Sequence, residues 1–378
     1  MDSARRPLRS DGGQPRSSWR AARHAGGSAA ARHEVSTDAN VTLRDVARIA
    51  GVHAATASRA LNAETRLLVS ADTVVRVEQA ARDLGYRPDH LARSLKTRRS
   101  SSVGVIVPDL TNPLFPPIVR GIEDYLAPKG YVALLGNTDN DDDRERRVIE
   151  GMRDRYIDGL IVATARRHNP LLVESSRRGL AIVLVNRVID DHLLPSVSVD
   201  DPLGARQAVA HLVALGHRRI AHVAGPQEIS TGYGRYRGYV GGMEVAGLAP
   251  GPDDVVFAES FSEAEGYRCT RQLLDHLGSP TAIVAGNDML ALGVLRALAG
   301  AGRSCPGDVS LVGFNDMPFM DRITPPLTTV RLSHYDVGAA AARLLLDRIA
   351  DPSAPVKTLH LPPELVVRSS TTSPRPHA

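Results

Sequence analysis

Residues 41–62 read VTLRDVARIAGVHAATASRALN, two short helical segments joined by a glycine turn inside a basic stretch of chain. Thr42 precedes an apolar pattern, Leu43, Val46, Ala47, Ile49 and Ala50, that recurs at helical spacing, and Asp45 stands where a capping box places its acid. Gly51 stops that helix, because glycine adopts the left-handed conformation without steric cost. The next run, His53 to Leu61, leaves Val52, Ala57, Ala60 and Leu61 to pack and keeps His53, Thr56 and Arg59 polar. Two such helices crossing at a tight turn make a helix-turn-helix. Ser70 announces a third helix, with apolar Val74, Val77, Ala80, Ala81 and Leu84 and a stop at Gly85.

Charge separates this headpiece from the rest. Between Asn40 and Arg99 eleven Lys/Arg face six Asp/Glu, a net of +5. Residues 1–39 carry +3, so the remainder of a 378-residue chain of net charge +4 carries −4. Positive charge confined to one end, beside an acidic body, is the footprint of a phosphate-binding module and points to nucleic acid. Residues 1–39 are rich in Ala, Arg, Ser and Gly, with Leu8 and Trp19 as their large apolar side chains, and read as a disordered basic tail. The two cysteines, Cys269 and Cys305, form no metal-type or redox-type pair, so a reducing cytoplasm is expected, with no metal and no cofactor. No apolar run approaches the roughly 20 residues that span a bilayer, and no secretory signal is expected.

From Val103 onward short apolar runs alternate with amphipathic ones. Strands are expected at 103–107, 131–136, 159–163, 181–185, 219–225, 281–286 and 309–314, and helices at 118–129, 202–215, 263–277 and 289–301. This order implies an α/β body of two doubly wound parallel sheets, hence two lobes, behind an all-α headpiece. Ligands of open parallel sheets lie beyond the carboxyl ends of the strands. There the sequence places Asn112, Phe115, Asp139, Arg187, Thr231, Arg235, Phe261, Asn287, Asp288 and Asn315, with Thr231 to Arg235 in a glycine-punctuated loop. Amides, carboxylates, arginines and aromatic faces converging on one cleft suit a polyhydroxylated small molecule. Asn287 and Asp288 also fit as caps of the helix that follows. No G-x-S-x-G, GxxxxGK or H-E-x-x-H occurs, so binding is favoured over catalysis and no catalytic residue is assigned.

These pieces resemble the lactose and galactose repressor family of bacterial transcription regulators. The likeness runs from Val41 to about Thr372 and rests on VTLRDVARIAGV, TASRALN, VEQAARDLGYRPDHLARSLKTRRS, VGVIVPDLTNP, GHRRIAHVAGP, GNDMLALG, DVSLVGFND and PPLTTVR in that order. The resemblance implies a headpiece at 40–87 whose recognition helix lies in the major groove of a half-site. DNA contacts are then expected from Thr42, His53, Ala54, Ala55, Thr56, Ser58, Arg59 and Asn62. It also implies a hinge helix and linker over 88–101, with Leu95 and Ala92 as a minor-groove wedge and Lys96 near phosphates. An effector-binding N-lobe follows, 102–199 plus 331–352, and a C-lobe, 200–330 plus 353–371. His53 replaces the usual Ser cap, and Ala54 and Ala55 occupy positions that often carry base-reading side chains.

TGYGR at 231–235 is similar to purine-responsive members, but Ile229 and Asp139 depart from them. With Arg187, Arg235 and Asp288, Asp139 is similar to sugar-responsive ones. The function implied is a repressor of double-stranded operator DNA, controlled by a sugar or polyol effector. The tail SSTTSPRPHA lacks an apolar heptad, so a homodimer is expected, with no membrane partner. The alternatives are a nucleobase-responsive regulator, a sugar-binding protein without a DNA role and a sugar-processing enzyme.

Overall fold

Asp45 closes the first turn of α1 (Leu43–Ile49), its carboxylate accepting from the Thr42 amide at 3.1 Å and the Thr42 hydroxyl at 2.7 Å. The structure is a computed structural model that describes residues 41–62, 65–86, 99–275 and 280–375. The expected tail and most of the hinge, including Ala92, Leu95 and Lys96, lie outside the described residues. The chain divides into two units at Pro88.

In the first unit Gly51, at φ 66°, ends α1 in a Schellman turn: its amide donates to Arg48 O and that of Val52 to Ala47 O. Gly85 ends α3 (Ala71–Asp83) the same way. Between them α2 (Ala54–Leu61) crosses both. Small residues dominate the shared core, where Val46, Ala47, Ala57, Ala60, Val74, Val77 and Ala80 are buried.

In the second unit the sequence alternates strand and helix until two six-stranded sheets are complete. The first contains β1 (Ser102–Val107), β2 (Val132–Asn137), β3 (Gly159–Val162), β4 (Ala181–Val185), β5 (Ser196–Val199) and β11 (Thr358–Leu361). Its order is β11-β5-β4-β3-β1-β2 and every pairing is parallel. The second contains β6 (Ile220–Ala224), β7 (Val255–Phe257), β8 (Ala282–Ala285), β9 (Ser310–Asn315), β10 (Thr328–Arg331) and β12 (Glu364–Val366). Its order is β12-β10-β9-β8-β6-β7, with only β12 antiparallel. Helices α4 (Phe115–Leu126), α5 (Asp142–Arg153) and α6 (Pro170–Arg177) belong to the first lobe. Helices α7 (Asp201–Ala214), α8 (Ser230–Val245), α9 (Glu263–Asp275) and α10 (Asp288–Gly300) belong to the second, and α11 (His334–Ala350) returns to the first, against α4. The chain therefore crosses between lobes three times, after β5, after β10 and after β11. Among the described residues no helix is long and apolar enough to cross a membrane.

Two expectations need correction. Residues 353–371 do not all belong to the second lobe: Thr358–Leu361 pairs in parallel with Ser196–Val199 as the edge of the first sheet, and the chain then crosses to β12. TLHL alternates polar and apolar residues over only four positions, and at the sheet edge Leu359 stays exposed, so the run carries no core signal that would assign it to one lobe. Nor is 231–235 a loop. It opens α8, a helix in spite of its five glycines, because close packing outweighs their low helix propensity. A Cβ on Gly238 would sit 2.3 Å from Pro202 O of α7, and one on Gly242 2.9 Å from Val209 Cβ. Gly241, on the same helix, meets nothing within 4 Å.

Gly238→Ala should therefore lower the unfolding free energy by about 1–3 kcal/mol through overpacking, whereas Gly241→Ala should raise it by about 0.4–1 kcal/mol by restricting the unfolded chain. Urea unfolding of the two variants checks this, and equal effects would remove close packing as the reason for the glycines.

Candidate functional site

The first site is a helix face in the first unit. His53 caps α2, its Nδ1 accepting from the Ala55 amide at 3.2 Å. Ala55, Ser58 and Arg59 are exposed, and the Arg59 guanidinium has no partner among the described residues. Thr56 is half-buried and Ala54 is packed against the core, so α2 presents little beyond methyls, hydroxyls and one guanidinium. Asn62 ends the helix and Thr42 opens α1.

The second site is the cleft between the lobes of the second unit, a cavity of about 330 Å³ lined from the carboxyl ends of both sheets. The first lobe contributes Asn112 and Phe115 after β1, Thr138 and Asn140 after β2, Thr164 and Arg166 after β3, and Asn186 and Arg187 after β4. The second contributes Ile229, Thr231 and Arg235 at the start of α8, Phe261 after β7, Asn287 after β8 and Asn315 at the end of β9.

Each wall is built around a buried guanidinium. Arg187 is 7 % exposed and donates from Nη1 to Asn140 Oδ1 at 3.0 Å and to the Thr164 carbonyl at 3.4 Å. Burial, helped by the positive charge of Arg166, pulls its pKa down to about 10, and no carboxylate among the described residues pairs with it directly. Arg235 is 2 % exposed; Nε pairs with Asp201 at 2.7 Å, Nη1 donates to the Gly286 carbonyl at 2.8 Å, and the guanidinium carbon lies 4.0 Å from the Phe314 ring centre. Two buried side-chain oxygens at the cavity, Thr138 Oγ1 and Asn315 Oδ1, have no hydrogen-bond partner among the described residues. Asn315 is held at φ 118°, a left-handed conformation that asparagine tolerates better than most residues.

On one side the walls are clasped. The Arg167 amide donates to the Glu228 carbonyl at 2.9 Å and the Val188 amide to Ser230 Oγ at 2.9 Å. The Arg167 guanidinium pairs with Asp190 at 2.7 Å and lies 3.7 Å from the Tyr233 ring centre.

Of the ten residues expected in the pocket, the structure gathers eight: Asn112, Phe115, Arg187, Thr231, Arg235, Phe261, Asn287 and Asn315. Asn287 Oδ1 also caps α10, accepting from the Leu290 amide at 2.9 Å. Asp139 and Asp288 do not line it. Asp139 is exposed, at φ 54°, and its carboxylate is taken by Arg144 and Asn137. Asp288 is fully buried, accepting from the Met317 amide at 2.8 Å and from Thr329 Oγ1 at 2.7 Å; burial pushes it up to about 7 against those bonds. Of the acids that do line the cavity from the same region, Asp141, Asp142 and Glu145, only Glu145 is buried; it is bonded to the Thr164 hydroxyl, and burial raises its carboxyl above the usual range. Sequence reasoning missed it because it lies in the highly charged DDDRERR run, where one acid cannot be told from its neighbours without the fold.

Two family models match the chain: bacterial regulatory proteins, lacI family, over residues 42–89, and a periplasmic binding protein-like domain over 209–371. A ribose operon repressor of Halalkalibacterium halodurans is 33% identical over 330 residues, 87% of this chain and 97% of that one. The HTH-type transcriptional repressor CytR of Escherichia coli strain K12 is 34% identical over 330 residues, 87% of this chain and 96% of that one. Among solved structures, the lac repressor dimer bound to operator and the anti-inducer ONPF superposes with a TM-score of 0.77 at 28% identity, over 88% of this chain and 100% of that one. A LacI family transcriptional regulator from Enterococcus faecium with bound ribose does so with a TM-score of 0.64 at 32% identity, over 72% of this chain and 100% of that one.

Because Asp288 ties α10 to the loop after β9 and to β10 rather than facing the cavity, Asp288→Ala should destabilise the ligand-free protein by about 2–3 kcal/mol. Chemical unfolding without any ligand measures this; an unchanged curve together with lost ligand binding would return Asp288 to the cleft.

Proposed function

We propose, from the premise that this chain belongs to the lacI family of bacterial regulatory proteins, that it represses transcription and is controlled by a neutral sugar held between its lobes. The protein is a DNA-binding transcriptional regulator. Its contact with operator DNA is assigned to α2, through Thr56, Ser58, Arg59 and the flanking His53 and Asn62, with Thr42 and Asn62 at the ends of the motif. The contacts assigned to Ala54 and Ala55 reduce to methyls, and that of Ala54 is limited by its packing. Residues 88–101 are assigned to the hinge. The regulator acts as a homodimer on a pseudo-palindromic operator in the cytoplasm and carries out no catalysis, in keeping with the regulatory roles in its relatives' names.

One observation carries the sugar reading: two unpartnered buried oxygens, Thr138 Oγ1 and Asn315 Oδ1, and a buried guanidinium without a carboxylate partner, Arg187, border one cavity. Hydroxyls satisfy all three, because each donates and accepts. Phe115 and Phe261 offer apolar faces to ring carbons. Three arginines line the cavity against six carboxylates, Asp109, Asp141, Asp142, Glu145, Glu228 and Glu259, so a neutral ligand fits better than a phosphorylated or acidic one. Ribose is the first candidate, since one relative is named a ribose operon repressor and a similar regulator holds ribose.

Thermal unfolding against ribose, other pentoses and hexoses, ribose 5-phosphate and nucleobases tests the cleft. A neutral sugar at about 100 times its Kd should add about 2.7 kcal/mol and raise Tm by several degrees, with no shift for the phosphate and none in Arg187→Ala. A shift with a nucleobase alone would overturn the sugar reading.

Selection of duplexes by the full chain, followed by titration at rising salt, tests the DNA assignment. Affinity for the selected operator should fall by about 10³ or more between 50 and 200 mM salt. Salt-independent or absent binding would favour a sugar-binding protein without a DNA role.

A further inference from the structure

The N-terminal residues of a recognition helix in the major groove are the ones that meet base edges. In α2 two of those residues are alanines, Ala54 turned toward the core and Ala55 offering one methyl, so neither presents a donor or an acceptor. His53 comes immediately before them, exposed, with the extended backbone of an N-cap at φ −70° and ψ 147°.

The cap decides what this imidazole can offer. Its Nδ1 accepts from the Ala55 amide at 3.2 Å. An amide N–H can only donate, so Nδ1 is the unprotonated nitrogen of the neutral ring and Nε2 carries the hydrogen. No bond to Nε2 is made among the described residues. A serine cap would satisfy the same backbone amide and keep an O–H to donate, but that O–H stays at the helix end, whereas the imidazole carries its donor several atoms farther out. Histidine caps with one edge and extends a donor from the other, and the capping bond holds the ring in place before any partner arrives.

We infer that His53 reads the operator as a hydrogen-bond donor fixed by the helix cap, and that the base it meets presents an acceptor in the major groove. Guanine, with N7 and O6, fits best; adenine N7 and thymine O4 also accept; cytosine, which presents only its N4 amino group, is rejected. This rests on the DNA-binding reading above. It also supplies the directional contact that Ala54 and Ala55 cannot make.

The test compares the full-length protein with His53→Ser and His53→Ala in selections from randomised duplexes. The unaltered protein should select against cytosine at one symmetry-related pair of positions. His53→Ser, which keeps the cap, should melt at the same temperature, retain the rest of the selected sequence and lose that preference, with affinity for the original operator down about five- to a hundredfold. His53→Ala should lose the preference and headpiece stability together. The inference is overturned if His53→Ser selects the same base distribution as the unaltered protein. It is equally overturned if affinity drops uniformly across sequences with a shallower salt slope, the mark of a phosphate contact. Absence of any enrichment by the unaltered protein would instead strike at the DNA-binding reading, and this inference would fall with it.

Discussion

A single buried cation organises the second lobe. Arg235 leaves the second turn of α8 and reaches Asp201, the first residue of α7, the carbonyl of Gly286 after β8, and the face of Phe314 in β9. Four elements are thereby joined at the floor of one cleft wall. A buried ion pair stabilises only when its geometry and remaining hydrogen bonds are satisfied, and losing one partner strands a charge at a cost of about 3–5 kcal/mol. Burial pushes the Asp201 carboxyl up, and the guanidinium beside it opposes that push. The reach of Arg235 also requires α7 and α8 to lie close. Gly238 and Gly242 allow that approach, so glycines that weaken a helix locally are retained for a tertiary reason.

That constraint explains what could be read from the sequence and what could not. The buried strands β1, β3, β4, β6, β8 and β9 are short apolar runs with turn residues at their ends. The carboxyl ends of β1, β4, β6, β8 and β9 and the segments after them supply seven of the ten expected residues to the cavity, Phe261 after the short β7 being the eighth found there. Where a tertiary partner decides, the sequence alone is silent. The start of α8 looks like a loop until α7 is set against it. Asp288 looks like a ligand until the Met317 amide and the Thr329 hydroxyl claim both its oxygens. Thr358–Leu361 reads as part of the second lobe until Ser196–Val199 supplies its ladder. In the headpiece the reverse holds, because capping boxes and Schellman turns are local and the three helices are legible from sequence spacing alone.

The same distinction between local and distant constraint separates the two surfaces functionally. The face of α2 is specified by residues within two turns of each other: a cap, two alanines and an arginine. On the proposed function, substitutions there would change what DNA is met while the small-residue core of Val46, Ala57 and Val77 stays intact. The cleft is specified by residues more than a hundred positions apart, such as Thr138 and Asn315, whose unpartnered oxygens border one cavity only because two sheets end at one place.

Arg187 shows how such a site couples binding to the state of the protein. Its guanidinium is buried without a carboxylate, held only by Asn140 Oδ1 and the Thr164 carbonyl, and burial lowers its pKa to about 10. A charged group in that position carries a desolvation cost in the ligand-free lobe that two neutral oxygens and the more distant Glu145 and Glu228 offset only in part. Hydroxyls entering the cleft offset that cost only if both walls surround them, because Arg187 belongs to the first lobe and Asn315 to the second. Ligand binding therefore favours the arrangement in which the walls approach, the one already clasped by Arg167 against Glu228 and Tyr233. A ligand moves such an equilibrium only by its differential affinity for the two arrangements, and a difference of about 1–3 kcal/mol is enough to change occupancy of a coupled site by 5- to 150-fold. On the proposed function the weakly paired charge serves ligand binding: a better-paired Arg187 would stabilise the lobe and leave the ligand less to gain by closing it.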